Sequence, residues 1–176
     1  MRKLSSHEID RPDPAALKRL TRTPLAVILD DIRSAHNVGS VLRTADAIRA
    51  ARVYCCGYTP APDHSAVRKT ALGAEDTVPW TVCADPLEAL TDLRQQGYRL
   101  AALEQTDRPT PLAAVRPDDF PLALVLGNEV TGVQQRLLDV CDFAIELPQY
   151  GAKHSLNVAV AFGVAAYGLL QRLEAQ

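Results

Sequence analysis

Asn37 and Arg43 stand six residues apart in the run Asn37-Val-Gly39-Ser-Val-Leu-Arg43, directly after Asp30-Asp31-Ile-Arg33-Ser-Ala-His36. That spacing is close to two helical turns, so an amide and a guanidinium share roughly neighbouring faces of one helix. A guanidinium there can grip a phosphate, although a capped helix with a surface cation reads the same way. A second group, Gly127-Asn128-Glu129-Val-Thr-Gly132, follows an apolar run. Two glycines around an Asn-Glu pair make a turn that a ligand can approach closely, and a plain strand-to-helix turn is the other reading. The third group is Leu147-Pro-Gln-Tyr-Gly151-Ala-Lys153-His154-Ser155-Leu156-Asn157. It runs into an apolar C-terminal stretch and puts Ser155 and Asn157 at a helix start, where free N–H groups collect. Capping accounts for Ser155 but leaves Asn157, among apolar neighbours, unexplained.

These groups need a scaffold that brings three loops together. From Leu25 the chain alternates short β-branched runs with helical stretches, the pattern of an α/β domain with a mainly parallel sheet flanked by helices. Strands are predicted at 25–29, 52–56, 78–82, 98–103, 122–126 and 143–147. Helices are predicted at 38–50, 65–72 with Asp63 ahead as cap, 86–96 stopped by Gly97, 133–140 and 155–173. The Pro-rich stretch 108–121 reads as a loop or short helix, and Leu122 to Leu126, the most apolar strand, as central. All three polar groups then sit at loops after strands, where open α/β sheets bind ligands. The final helix carries Leu156, Val160, Phe162, Val164, Tyr167 and Leu170 around much of its circumference. A helix apolar nearly all round needs two burial partners, its own sheet and a second subunit, which predicts a homodimer.

The chain has 176 residues and is 47% hydrophobic, enough for one sizeable core. With no apolar leader and no bilayer-length apolar run, it reads as a soluble cytoplasmic protein with no membrane partner. Cys55, Cys56, Cys83 and Cys141 lack zinc spacing and disulfide density, so they read as buried reduced thiols, and no metal site is predicted. His7 and His64 read as exposed and idle. The net charge of -2 is not that of a typical nucleic-acid binder. Residues 1–24 nevertheless hold six basic side chains (Arg2, Lys3, Arg11, Lys18, Arg19, Arg22) against three acids. This basic N-terminal segment is separated from a domain spanning 25–176, and a solvated leader helix is its plainest reading.

Taken in order, the N-x-G-x-x-x-R, G-N-E-x-x-G and S-L-N-V-A patterns resemble the three motifs of the SpoU (TrmH-like) family of RNA 2'-O-methyltransferases, from about Leu25 to the end. The resemblance implies a SPOUT fold whose C-terminal segment threads a loop to form a trefoil knot, an exception to the rule against knots. It implies S-adenosylmethionine as cofactor, RNA as partner, and a site completed across a homodimer interface. By motif position it implies Arg43 as the catalytic arginine, Asn37 orienting it, and Glu129, Ser155 and Asn157 around the methyl-transfer site. Gly127, Asn128, Leu147 and Leu156 match the cofactor-binding positions, with Leu103 as another wall. Arg49-Ala50-Ala51 replaces a glycine that the family commonly has after the first-motif helix. The extra RNA-binding domain of larger members is expected to be absent, leaving its work to the basic segment.

Guanidinium is effectively always protonated, so Arg43 is read as a phosphate and oxyanion clamp rather than a base. Arg33, His36, Arg68, Lys69 and Lys153 are nominated as RNA phosphate contacts. The alternative from another class is a non-catalytic RNA-binding module of the same fold. A Rossmann enzyme lacks its G-x-G-x-x-G here, and a His154-Ser155 hydrolase lacks the G-x-S-x-G elbow. Neither the RNA, transfer or ribosomal, nor the modified nucleotide is legible at this level.

Overall fold

In the computed structural model, residues 1–5, 7–9, 13–17 and 19–174 are described; Arg11 and Lys18 of the basic segment lie outside the described residues. A short helix α1 (Pro14–Leu17) precedes β1 (Thr23–Asp30), α2 (Ala35–Ala47), β2 (Ala50–Cys56), α3 (Ser65–Ala71), α4 (Ala74–Thr77) and β3 (Trp80–Cys83). Then come α5 (Pro86–Gln95), β4 (Arg99–Leu103), β5 (Pro109–Pro111), two 3-10 turns, β6 (Leu122–Leu126), α6 (Gln135–Leu138), β7 (Phe143–Glu146) and α7 (Val158–Glu174).

The strands form one sheet in the order β3-β2-β1-β6-β4-β7-β5, and every ladder in it is parallel. β6 is the middle strand and is buried along its whole length, as its unbroken apolar run predicts for a strand covered on both faces. Successive residues of β1 alternate between two cores. Leu25, Val27 and Leu29 pack with α2, α3 and α7 through Leu42, Val67 and Phe162, while Ala26 and Ile28 pack with α5 and α6 through Leu90 and Leu137. The result is a sheet between two helical layers.

Several predicted boundaries move for local reasons. β1 begins at Thr23, inside the segment assigned to the N-terminus, because the Thr23 hydroxyl donates to Ile48 O at 2.6 Å and its N–H to Arg49 O at 3.0 Å. α2 begins at Ala35 rather than Val38, since the Ser34 hydroxyl accepts from Asn37 N at 3.3 Å. After α2, Arg49 adopts the left-handed conformation (φ 53°), a backbone shape that glycine takes without strain. His64, not Asp63, caps α3, its Nδ1 accepting from Ala66 N at 3.2 Å, so this histidine is not idle. The Pro-rich stretch holds the edge strand β5, a place in a sheet that tolerates proline.

α7 begins at Val158, three residues later than expected. Its inward face buries Phe162, Ala165, Ala166 and Leu169, whereas Val160, Val164 and Tyr167 stay 54%, 50% and 51% exposed on another. The all-round apolar helix therefore has one of its two expected partners within the chain. Cys55 and Cys56 are buried, Cys83 and Cys141 half-buried, and all four are free thiols; burial pushes Cys55 and Cys141 up to about 12. No helix among the described residues is long and apolar enough to cross a membrane.

Phe162 is fully buried between α7 and the sheet, so truncation leaves a cavity that close packing cannot refill. Phe162→Ala should lower unfolding free energy by about 3–5 kcal/mol, read in urea as a lower midpoint at unchanged slope.

Candidate active site

A cavity of about 690 Å³ opens past the C-terminal ends of β4, β6 and β7, where the loops 103–105, 126–133 and 147–158 converge. The middle loop is shaped by its glycines. A Cβ on Gly127 would lie 2.2 Å from Val133 N, so two backbone segments touch there, and Gly132 turns at φ +69°. Asn128 and Gly132 exchange backbone hydrogen bonds of 3.1 and 2.9 Å. The Asn128 side chain faces inward: its oxygen accepts from Val130 N and Thr131 N, and its Nδ2 donates to Asp31 O and the Tyr58 hydroxyl, both at 2.7 Å. The side chain thus frames the loop that borders the cavity.

The three motifs meet through a ladder of side-chain hydrogen bonds. Glu129 Oε2 accepts from Arg33 N at 2.9 Å, and Oε1 accepts from Ser34 N at 3.1 Å and from Asn37 Nδ2 at 2.8 Å. The Asn37 oxygen in turn accepts from Asn157 Nδ2 at 3.0 Å. The Asn157 oxygen accepts from Ala159 N at 3.0 Å and Val160 N at 3.3 Å, so Asn157 caps α7. This corrects the capping role expected of Ser155, which lies in the loop before the helix. Partial burial alone would raise the Glu129 carboxyl, but the N–H donors of Arg33, Asn37 and Ser34 outweigh it and hold the group below its ordinary range. A carboxylate at the start of α2 also meets the positive end of the helix dipole.

Leu103, Gly127, Asn128, Leu147 and Leu156 all line the cavity, as do Glu129, Ser155 and Asn157. Beside it, an open groove is lined by Arg33, Asn37, Glu129 and Asn157. Arg43 borders neither space and is exposed, with no hydrogen bond or ion pair to the described residues. Six residues of α-helix turn roughly 240° past a full turn, which carries Arg43 off the face Asn37 occupies and corrects the neighbouring-face reading. Among the nominated RNA contacts, Arg33 reaches the groove, His36 Nδ1 meets the Thr70 hydroxyl at 2.8 Å, and Lys69 and Lys153 are exposed. Arg68 is engaged by Glu75 at 3.0 Å and Asp76 at 3.8 Å, which reduces what it has left for a phosphate.

Sequence reasoning missed Glu104 and Gln105. Glu104 accepts from Gln105 N at 2.8 Å and from Val133 N at 2.9 Å, and the Gln105 amide donates to His154 O, so this pair braces all three loops. The signal was available: both are polar residues at the end of β4, the position that singled out the other clusters. Among the described residues no group of three or more His, Cys, Asp or Glu is placed to hold a metal ion.

Because its folded pKa is lowered, Glu129 contributes stability that is complete above the unfolded value of about 4.3 and is lost as pH falls through the folded one. Glu129→Gln should therefore melt below the native protein near neutral pH. The gap should narrow as pH falls below the unfolded value and through the folded one, which thermal unfolding across the acid range measures.

The sequence pattern of the SpoU rRNA Methylase family matches residues 24–167. The 23S rRNA (guanosine-2'-O-)-methyltransferase RlmB of Neisseria meningitidis is 32% identical over 148 residues, covering 84% of this chain and 58% of that protein. The Haemophilus influenzae protein of the same name is 32% identical over 168 residues, 96% of this chain and 68% of its own. The chain therefore spans about three-fifths to two-thirds of the length of these relatives. Among solved structures, the SpoU methyltransferase AviRb of Streptomyces viridochromogenes, in complex with the cofactor AdoMet, matches with a TM-score of 0.79 at 21% identity. That match covers 89% of this chain and 63% of AviRb, and it is a likeness of fold. A parallel sheet between helical layers, three ordered motifs joined by one ladder, and a pattern match across most of the chain together establish that the protein belongs to the SpoU rRNA Methylase family.

Proposed function

We propose that the chain is an RNA 2'-O-methyltransferase that uses S-adenosylmethionine and works as a homodimer. The observation that carries this reading is the ladder from Glu129 through Asn37 to Asn157, which sets a cofactor-sized cavity beside an open groove. The cavity suits the cofactor: apolar walls at Leu103, Leu147 and Leu156 would flank a nucleoside, and the glycine-lined backbone at 127–132 leaves room for close approach. When bound, S-adenosylmethionine supplies an electrophilic methyl group on a sulfonium.

The reaction forms a bond from the ribose 2'-oxygen to that carbon, breaks the sulfur–carbon bond and releases the hydroxyl proton. Asn37, Glu129, Ser155 and Asn157 orient the acceptor ribose where groove and cavity meet. Arg33 holds a neighbouring phosphate from the groove rim, joined by His36, Lys69 and Lys153. Arg43 stabilises the developing oxyanion and its phosphate from the opposite subunit, with phosphate or water taking the proton. Two features support that placement: Arg43 is off the groove of its own subunit, and the uncovered stripe Val160, Val164 and Tyr167 offers a surface for a second copy. The trefoil knot belongs to the same proposal, supported by the convergence of the last loop with those after β4 and β6.

In the basic segment, Arg22 donates to Ala50 O and Thr77 O, and Arg2 pairs with Glu8, so Lys3 and Arg19 are the exposed described cations left for RNA. The names of the RlmB relatives favour ribosomal RNA as substrate, and work on RNA fits a cytoplasmic setting.

Incubated with labelled S-adenosylmethionine and total unmodified RNA, the native protein should transfer label to 2'-oxygens mapped by mass spectrometry. Absence of transfer would favour a non-catalytic RNA-binding module. Arg43→Ala and Glu129→Ala should each lose about 100-fold or more in turnover. Mixed Arg43→Ala and Glu129→Ala subunits should regain part of it, and no recovery would argue against a shared site. Val164→Glu should shift the mass found by sedimentation from dimer to monomer, since it puts a charge into the apolar stripe.

A further inference from the structure

The walls of the cavity carry an uneven charge. Its ionisable lining residues are Glu104, Glu129 and His154, and no lysine or arginine lines it among the described residues. Glu129 is held by three N–H donors at the start of α2, facing the groove as well. Glu104 has a different setting. Each of its oxygens accepts one neutral backbone N–H, from Gln105 and Val133, and no cation pairs with it among the described residues. A Cβ on Gly132 would stand 2.4 Å from Glu104 Oε2, so the glycine leaves room for the carboxylate at this wall. The outcome is an uncompensated negative charge fixed at the end of β4, inside a concave and partly desolvated space.

Such a charge distinguishes ligands by their own charge. S-adenosylmethionine and S-adenosylhomocysteine share the adenosine, the amino group and the carboxylate; they differ by one methyl group and the positive charge on sulfur. The shared groups cancel from the ratio of affinities, which leaves the sulfonium. We propose that Glu104 is a specificity residue through which the cavity prefers the cationic methyl donor to its uncharged thioether product, so that spent product leaves readily. This rests on the reading of the cavity as the S-adenosylmethionine site.

Titration calorimetry tests it with three ligands: S-adenosylmethionine, S-adenosylhomocysteine, and sinefungin, in which an amine-bearing carbon replaces the sulfonium. The full chain is compared as native protein, Glu104→Gln and Glu104→Asp, with melting temperature recorded for each. Glu104→Gln should reduce the preference for both cationic ligands over S-adenosylhomocysteine about three- to tenfold, the range for one partly screened unit charge. Glu104→Asp, which keeps the charge, should retain the native preference even if all three ligands bind more weakly. An equal loss for all ligands in Glu104→Gln, or an unchanged ratio, would overturn the proposal and leave Glu104 a loop brace only. Native protein that binds neither S-adenosylmethionine nor S-adenosylhomocysteine would instead remove the cofactor reading, and this proposal with it.

Discussion

The carboxylate of Glu129 sits where three backbone segments must meet. The two residues that lead into α2, Arg33 and the capping Ser34, point their N–H groups at Glu129, which takes both while also holding the Asn37 amide. Asn37 then presents its oxygen to Asn157, whose own oxygen satisfies the first N–H groups of α7. One carboxylate and two amides thus tie the entry to α2 to the cap of α7 and pin the loop after β6 between them. Each member depends on its neighbour, because an amide rotated to serve one partner would turn the wrong atom toward the other.

The sheet makes this arrangement possible. Parallel pairing sends β1, β6, β4 and β7 out in the same direction, so the loops that follow them open on one edge. With β6 in the middle, its loop has neighbours on both sides: the start of α2 on one, the Glu104–Gln105 brace on the other. The cavity is the space these loops cannot close, since Gly127 and Gly132 bring backbone into contact and leave no side chain to fill it.

Much of this was legible from short-range pattern. Strands buried on both faces announce themselves as unbroken apolar runs, and β6 was placed centrally on that basis alone. Pro86 at its start and Gly97 after its end bounded α5 with local chemistry, while the Asp85 side chain that accepts from Leu87 N went unread. What escaped was decided by partners far along the chain. Glu104 captures Val133 N, and the helix expected from that residue starts only at Gln135. Asn157 displaced Ser155 as the cap because its amide bonds a residue 120 positions earlier, which no local rule sees. Arg43 lands apart from Asn37 for a simpler reason: six residues are not two whole turns of a 3.6-residue helix.

α7 joins two tasks in one rigid body. Its first residues are fixed to the ladder through Asn157, and its uncovered apolar stripe begins at Val160, within one turn of that anchor. A rotation of the helix about its axis large enough to re-aim the stripe would swing Asn157 away from Asn37, and a slide by one residue would displace it by about 1.5 Å, enough to break a hydrogen bond. How this surface meets another body and how the groove is shaped are therefore mechanically a single variable. Substitutions that retune one must be compatible with the other, which leaves this stretch of helix little room for independent drift.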